Sequence, residues 1–459
     1  MQKFDAIVIG SGQGGNPLAK KMAEKGWKTA LIEQRQLGGT CINDGCTPTK
    51  TMIASARIAH LLSRSETWGV PNQGYTVDLP AIVARKNNVV EQFRNSTAKS
   101  LEKAGVTILY GTASFTGVKT LSVALNDGGT QELAAEHIFL NTGAAPYIPE
   151  IPGLRDVPYL TSTTLQDEVV VPPELIILGG SYIALEMGQL YRRLGSTVTI
   201  LEKSPQLMSK EDPDVAAVIK KILEAEDIQV LTSATTEKIT GGKDNIQVQI
   251  QTGGKSAAIT GTHLLVATGR LPQTAALRLG KTNVTLDEKG YVQVNEQLET
   301  SCPGIYAIGD VKPGPAFTHI SYNDHLLLYK NLFEEAALSI NTRQLPYCMF
   351  TDPQLGRIGL SETRARQEGY PVKVAHLSMD KAARAIETGE TAGFMKAIVH
   401  EHTGQLLGAA IIGTEGGEIM TVLQMAMLGG ITATQLRDMI FAHPLYAESI
   451  NNLFMTLEK

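Results

Sequence analysis

Apolar positions along this chain fall into two alternating patterns: short continuous runs, and longer stretches with a helical repeat. FDAIVIG, residues 4–10, is followed by the glycine-rich turn GSGQGG. A helical stretch from about Pro17 to Lys25 comes next, then a second apolar run, TALIE, that ends at Glu33. Continuous apolar runs bounded by turns predict strands buried on both faces, and the helix between them predicts a parallel crossover. The order returns at residues 175–202, where ELIILGG, a turn and a helix lead to TVTILE, ending at Glu202. Residues 49–62 and 81–104 predict helices, the second with a solvated, mixed-charge face. Between Val106 and Glu132, β-rich runs broken by Gly, Asn and Asp predict an antiparallel excursion. The strand HIFLNTGAAP follows, and the Pro-rich passage from Pro146 to Pro158 reads as a linker. Beyond about Leu345, the strands YCMFTDP, GFMKAIVHE and LLGAAIIG precede the helix EIMTVLQMAML. Met420, Met425 and Met427 on that helix read as core packing.

The repeated unit carries chemistry. Gly10, Gly12 and Gly15 stand between the first strand and its helix, the context in which glycines let backbone approach a pyrophosphate at a helix N-terminus. Glu33 closes the unit as an acceptor for ribose hydroxyls. Gly10 to Glu33 and Gly179 to Glu202 both span 23 positions, so two dinucleotides are expected. In the second turn Ser181 and Ala184 replace glycines, which small side chains allow. A carboxylate at Glu202 suits a free ribose hydroxyl and repels a 2′-phosphate, favouring NADH over NADPH, with Lys203 beside it pulling the other way. The dipeptide Thr142-Gly143 is echoed at Thr268-Gly269. Asp310, in YAIGD, reads in isolation as a turn aspartate and in context as a group that can hydrogen-bond a polyol.

Two of the four cysteines, Cys41 and Cys46, lie in GGTCINDGCTPTK (38–50), just after the first fingerprint. Such a pair binds a metal or cycles a disulfide. A zinc site needs a second ligand pair, and none follows: His60 is isolated, and Cys302 and Cys348 are far downstream. No metal is expected, and a redox dithiol is favoured over a buried inert pair. With Pro48 in its first turn, the helix predicted from Thr49 puts Cys46 near an N-terminus, where the dipole favours a thiolate. Cys41, in a glycine-flanked loop, is expected to face outward, and Asp44 opposes ionisation of its neighbours. Near the other end, His443 is followed by Glu448, a candidate acid–base pair.

Composition narrows the partners. A length of 459 residues predicts about three domains. The net charge of −5 and the lack of a basic run give no reason to expect nucleic acid. No apolar stretch approaches the roughly 20 residues that cross a bilayer. Without an export signal at MQKFDAIVIG, and with few cysteines, a cytoplasmic protein with a catalytic disulfide is expected.

GGTCINDGCTPTK, the two dinucleotide units, the two Thr-Gly strands, YAIGD and HPLYAE together resemble the class I pyridine nucleotide-disulfide oxidoreductases, the flavoprotein disulfide reductases. The likeness runs along essentially the whole chain. GSGQGGNPLA, CTPTKTMIASA, GGSYIALE and PAFTHISYND are most similar to the mercuric-reductase-like branch. The resemblance implies an α/β architecture: two Rossmann-like dinucleotide-binding domains, for FAD and NAD, and a C-terminal α+β dimerisation domain. Residues 1–147 would form the first part of the FAD-binding domain, 148–270 the NAD(P)-binding domain, 271–343 the second, central FAD-binding part, and 344–459 the dimerisation domain.

The resemblance also assigns residues. FAD would be held by Gly10, Gly12, Gly15 and Glu33, by Gly39, Thr40 and Lys50, and by Ala113, Thr142, Gly143 and Asp310, with the loop Ala316, Phe317, Thr318 and His319. NAD would meet Gly179, Ser181, Tyr182, Ile183 and Glu186, then Glu202 and Gly269. Lys50 would pair with Glu186 beside the flavin. Cys46 would be the flavin-facing thiol and Cys41 the interchange thiol. His443, oriented by Glu448, would serve the partner subunit's site in a homodimer. Electrons would pass from NADH through FAD and a Cys41–Cys46 disulfide to a small oxidised acceptor.

Two departures bear on that acceptor. Mercuric reductases carry a vicinal cysteine pair near the C-terminus, and INNLFMTLEK has none. HPLYAE differs from the pattern common in dihydrolipoamide dehydrogenases, with Leu445 in place of Thr. Dihydrolipoamide dehydrogenase therefore stands as an alternative. So does an NADH oxidase or peroxidase-type flavoprotein, although those use a single redox cysteine.

Overall fold

Strand β1 (Gln2–Ile9) shows why the apolar runs are continuous. In this computed structural model, which describes residues 1–458, its alternate residues enter two different cores. Ala6 and Val8, with Leu31, pack against Leu18, Met22 and Leu327 of two helices. Ile7 and Ile9, with Ile32, pack against Phe115, Leu121 and Val123 on the opposite face. A strand covered on both sides has no solvated positions to alternate.

The chain forms two compact units. The first comprises Met1–Met52, Pro80–Ile148 and Gly269–Arg343. β1 pairs in parallel with β2 (Thr29–Glu33) on one side and with strand Thr130–Leu140 on the other. Helix α1 (Gly15–Glu24) links β1 and β2 and starts two residues before the predicted Pro17. The predicted antiparallel excursion is present, and it grows out of the same sheet. Strand Thr107–Gly117 pairs with β2 through residues 107–110, then continues to pair with Thr120–Leu125. Thr130–Leu140 meets Thr120–Leu125 with its first residues before returning beside β1. Strand Ile305–Ala307 completes the parallel part.

The second unit comprises Ile53–Leu79, Pro149–Thr268 and residues from Gln344 onward. Its four-stranded parallel sheet has the order 263–266, 174–178, 197–201, 229–231. Helix Tyr182–Leu194 connects the two central strands. A three-stranded antiparallel sheet spans residues 235–261, and a five-stranded antiparallel sheet follows Gln344. Helices Gly416–Leu428 and Ser449–Met455 pack on the five-stranded sheet around Ile419, Leu423, Leu453 and Phe454.

One reading of that C-terminal helix is corrected. Met420 is buried, but Met425 is 69% exposed, so Met425 is not core packing in the single chain. Its position on the outer face of the helix, not its composition, decides this.

Candidate functional site

The glycines of the first fingerprint are required by contacts. Gly10 has φ +101°, and a Cβ there would stand 2.3 Å from the Asn141 carbonyl oxygen. A Cβ on Gly15 would stand 2.2 Å from the Gly10 oxygen. Asn141 holds this crossing by donating from Nδ2 to the Gly10 carbonyl at 3.1 Å. At the end of β2, Glu33 is buried and already oriented. Its Oε2 accepts from the Ser11 amide at 3.0 Å and from the Ser11 hydroxyl at 2.6 Å, and its Oε1 accepts from the Arg35 amide at 2.8 Å. Oε1 keeps acceptor capacity for a further hydroxyl.

Gly38 and Gly39, at φ +109° and +62°, turn the chain into α2 (Gly39–Asn43). Asn43 ties that helix down by donating to the Leu37 and Gly39 carbonyls at 3.1 and 2.9 Å. Helix α3 (Cys46–Arg64) follows. Two expectations are corrected here. Cys41 lies in a short helix rather than a loop, and α3 begins at Cys46, not Thr49. Cys41 is partly buried while Cys46 is exposed, the reverse of the expected order, because winding residues 39–43 into a helix turns Cys41 inward. Arg35 neutralises Asp44 at 2.7 Å, so the carboxylate between the cysteines does not act as an isolated charge.

The two sulfurs interact directly. The Cys41 thiol is pushed up by its hydrogen bond to Cys46, by burial and by the charge of Cys46, against pulls from the Thr318 and Thr47 hydroxyls. Cys46 Sγ lies 3.3 Å from Thr318 Oγ1, the first residue of helix Thr318–Phe333. Beside it, the Phe317 and His319 rings stack at 5.5 Å. Lys50 stands one turn along α3 from Cys46.

The remaining first-unit positions bear on whether a flavin nucleotide fits. The Thr142 hydroxyl is buried without a hydrogen-bond partner, as expected where an absent group would supply one. Gly143, at φ +68°, opens onto space that no protein atom fills within 4 Å. Asp310 occupies the turn Gly309–Val311, where burial pushes its carboxyl up against the pull of Arg270 and Lys312. Asp324 braces that turn. Its Oδ2 accepts from the Gly309 amide at 2.8 Å, and the carboxylate is paired with Lys312 at 3.2 Å and Arg343 at 2.6 Å. Ala113 faces the core beside the turn-bearing strands. An orphaned hydroxyl, an open glycine, a half-used Glu33 and a buried Asp310 together fit a dinucleotide such as FAD.

In the second unit a Cβ on Gly179 (φ +113°) would stand 2.4 Å from the Ala267 oxygen, repeating the geometry at Gly10. Ser181 stands at the N-cap position of the helix that begins at Tyr182 and Ile183, with no side-chain capping hydrogen bond. Glu202 Oε1 accepts from the Ser204 amide at 2.7 Å, as Glu33 accepts from Arg35. Glu186 is buried and accepts from the Phe350 amide at 2.8 Å. Gly269 has φ +144° and open space around it. Near the C-terminus, His443 Nδ1 lies 2.9 Å from Glu448 Oε2, so the predicted pair is formed. The cysteines belong to the first unit and the His443–Glu448 pair to the second.

Ser11, Asn141, Asp324 and the Phe350 amide were not singled out from the sequence. Asn141 carried a faint signal, since it immediately precedes Thr142-Gly143.

Comparison with known proteins agrees with this geometry. Residues 4–324 match the pyridine nucleotide-disulphide oxidoreductase family, and residues 345–454 match the pyridine nucleotide-disulphide oxidoreductase dimerisation domain. The chain is 33% identical to a mercuric reductase of Staphylococcus aureus, over 99% of this chain and 83% of that one. It is 35% identical to the probable pyridine nucleotide-disulfide oxidoreductase RclA of Escherichia coli, over 99% of each chain. It is 34% identical to a dihydrolipoyl dehydrogenase of Thermus scotoductus, over 100% of this chain and 98% of that one. Among solved structures, the Cu(II) complex of the HOCl-induced flavoprotein disulfide reductase RclA from Escherichia coli superposes with a TM-score of 0.91 at 35% identity, covering 99% of both chains. No helix among the described residues is long and apolar enough to cross a membrane. Sequence, site and relatives converge: this chain belongs to the class I pyridine nucleotide-disulphide oxidoreductases, NAD(P)H-dependent flavoproteins with a disulfide redox centre.

Proposed function

We propose that this protein is a homodimeric, NADH-linked disulfide reductase that delivers electrons through Cys41 and Cys46 to a small oxidised acceptor. The observation that carries the reading is the dithiol itself: Cys46 at the start of the 19-residue helix α3, hydrogen-bonded to a Cys41 whose thiol is held protonated. Bound FAD would supply the two-electron relay between the nicotinamide and the disulfide. Glu33, Thr142, Gly143 and Asp310 would hold it, and the exposed face of Cys46 suits a thiol that meets it.

In the reduced protein, Cys41 attacks the acceptor, forming a bond to one of its atoms and expelling the other as an anion. His443 of the partner subunit, held by Glu448, takes the Cys41 proton and passes it to that leaving group. The Cys46 thiolate then attacks the Cys41 sulfur, releasing the bound half of the acceptor and closing the Cys41–Cys46 disulfide. Two thiols are oxidised and the acceptor gains two electrons. Lys50 and Glu186 serve the flavin side of this cycle in our reading. The four-part domain order, with boundaries at about 147, 270 and 343, and a cytoplasmic location go with it.

The acceptor class follows from the thiols. The other two cysteines, Cys302 and Cys348, lie 46 positions apart in the sequence, and Cys302 is buried. This favours an oxidant that one sulfur attacks, such as a low-molecular-weight disulfide or a hypohalous or hypothiocyanous acid, over a metal ion requiring relay thiols. Lipoamide is the second reading, favoured by the dihydrolipoyl dehydrogenase relative and opposed by Leu445. Anaerobic NADH oxidation with each acceptor alone tests the choice. Brisk turnover with lipoamide only would replace the first reading with the second, and turnover with neither class would reject both. Glu202 supports NADH as donor. A wild-type protein with a kcat/KM higher for NADPH would overturn that assignment.

A further inference from the structure

We infer that Lys312 is a positioning residue for the flavin nucleotide: buried against Asp324, it keeps Asp310 a negatively charged acceptor in the turn that meets the cofactor. This rests on Asp310 being a ligand of FAD, as proposed above, and assigns the charge that holds it ready. Three observations carry it. Lys312 is 3% exposed, a costly place for an ammonium group. Its Nζ lies 3.2 Å from Oδ2 of Asp324, which is itself fully buried. Asp324 is already satisfied without it: Oδ1 is paired with Arg343 at 2.6 Å, and Oδ2 accepts from the Gly309 amide at 2.8 Å. Lys312 and Arg343 thus bring two positive charges to one carboxylate, and one of them is in surplus inside the fold.

The surplus acts on Asp310. Lys312 immediately follows the turn Gly309–Val311 that carries this aspartate. Burial pushes the Asp310 carboxyl up and the Asp324 charge adds to it, while Arg270 and Lys312 pull it down. Arg270 comes from the strand Arg270–Pro272 and also donates to the Ala144 carbonyl. Arg343 is engaged on the far oxygen of Asp324 and on Asn323 at 3.1 Å. An ionised carboxylate only accepts hydrogen bonds, whereas a protonated one gives up part of that capacity. A polyol offers hydroxyl donors, so the ionised form holds it more firmly. Without Lys312 the turn keeps its brace from Asp324, but Asp310 takes up a proton at a higher pH and loosens its hold.

The test follows FAD release from the purified holoenzyme after dilution, read as the rise in free-flavin fluorescence, from about pH 6 to about pH 8.5. Lys312→Met should release FAD roughly tenfold faster than the wild type at about pH 6, the equivalent of one pKa unit, with the difference shrinking as pH rises. Lys312→Gln removes the same charge and should behave alike, which keeps the test open if the methionine variant does not fold. Lys312→Arg should return the wild-type profile. Asp310→Asn should release FAD faster than the wild type at every pH. Adding Lys312→Met to it should change nothing further, since a charge acting through Asp310 then has no carboxylate to act on. A purely structural role for Lys312 would give additive effects without pH dependence. That additivity, or a neutral variant whose profile matches the wild type, overturns the inference. An Asp310→Asn protein that retains FAD as firmly as the wild type would instead reject Asp310 as a cofactor ligand, the reading on which the inference rests.

Discussion

At the scale of single residues, the two cysteines differ through their neighbours rather than their chemistry. Cys41 is pushed up by Cys46 and by burial, and Cys46 stands at a helix start. Cys41→Ser should leave NADH able to bleach the flavin at near wild-type rate in a stopped-flow experiment while steady-state turnover with the acceptor falls at least about a thousandfold, as for loss of any nucleophile. Unimpaired turnover would sink the dithiol mechanism. Asp212 supplies a pH prediction. Burial would raise its carboxyl, but hydrogen bonds from the Thr363 hydroxyl and amide and the Glu362 amide, with the Lys396 charge, outweigh that and bring it to about 2. The folded value lies below the unfolded one, so this group stabilises the fold above about pH 4. That stability is lost as pH falls toward 2, because the unfolded chain binds the proton first. Asp212→Asn should flatten the decline of unfolding free energy in this window.

Elements are joined by polar side chains that the local sequence does not advertise. On the helix Tyr182–Leu194, residues Glu186, Gln189 and Arg193 share one face and grip residues 350–352. Glu186 accepts from the Phe350 amide. Gln189 exchanges hydrogen bonds with the Asp352 backbone at 2.7 and 2.8 Å, and Arg193 binds the Asp352 carboxylate at 2.7 Å. Asp352 also meets Arg57, on the helix whose first residue is Cys46, at 3.3 Å. A second clamp surrounds Lys396, which is buried among Asp212 at 3.2 Å, Asp214 at 2.8 Å and Glu362 at 2.9 Å. Lys396→Met would strand the buried Asp212 carboxylate and should cost about 3 kcal/mol in denaturant unfolding. A loss under about 0.5 kcal/mol would show that the other donors to Asp212 suffice.

The whole molecule is where the proposed dimer matters. Met425, Leu428 and Ile440 are 69%, 79% and 94% exposed in the single chain, within the dimerisation domain match. Open apolar side chains there suit a surface that associates with a second copy. If His443 serves the partner's dithiol, co-expressed Cys41→Ser and His443→Ala chains should assemble mixed dimers with one intact site. With random pairing, such a preparation recovers about a quarter of wild-type activity from two inactive parents. No recovery, with mixed dimers confirmed by mass, would place His443 in service of its own chain.

The sequence by itself determined the parts whose physics is local. Glycines at Gly10 and Gly15 are demanded by a turn and a close crossing within one βαβ unit, and Glu33 and Glu202 close two units of equal length. The Cys41–Cys46 spacing and His443–Glu448 lie within one or two turns of chain, so the local motif exposed them. What only the tertiary structure decided lies between distant residues: the Asn141 brace on Gly10, the Asp324 brace on Gly309, the grip of Glu186 and Arg193 on residues 350–352, and the Thr318 hydroxyl at Cys46. Winding of residues 39–43, and with it which cysteine is exposed, and the outward face of Met425 belong to the same group. Such contacts depend on how elements pack, and no periodicity within a single segment records which side chain another segment will bring beside it.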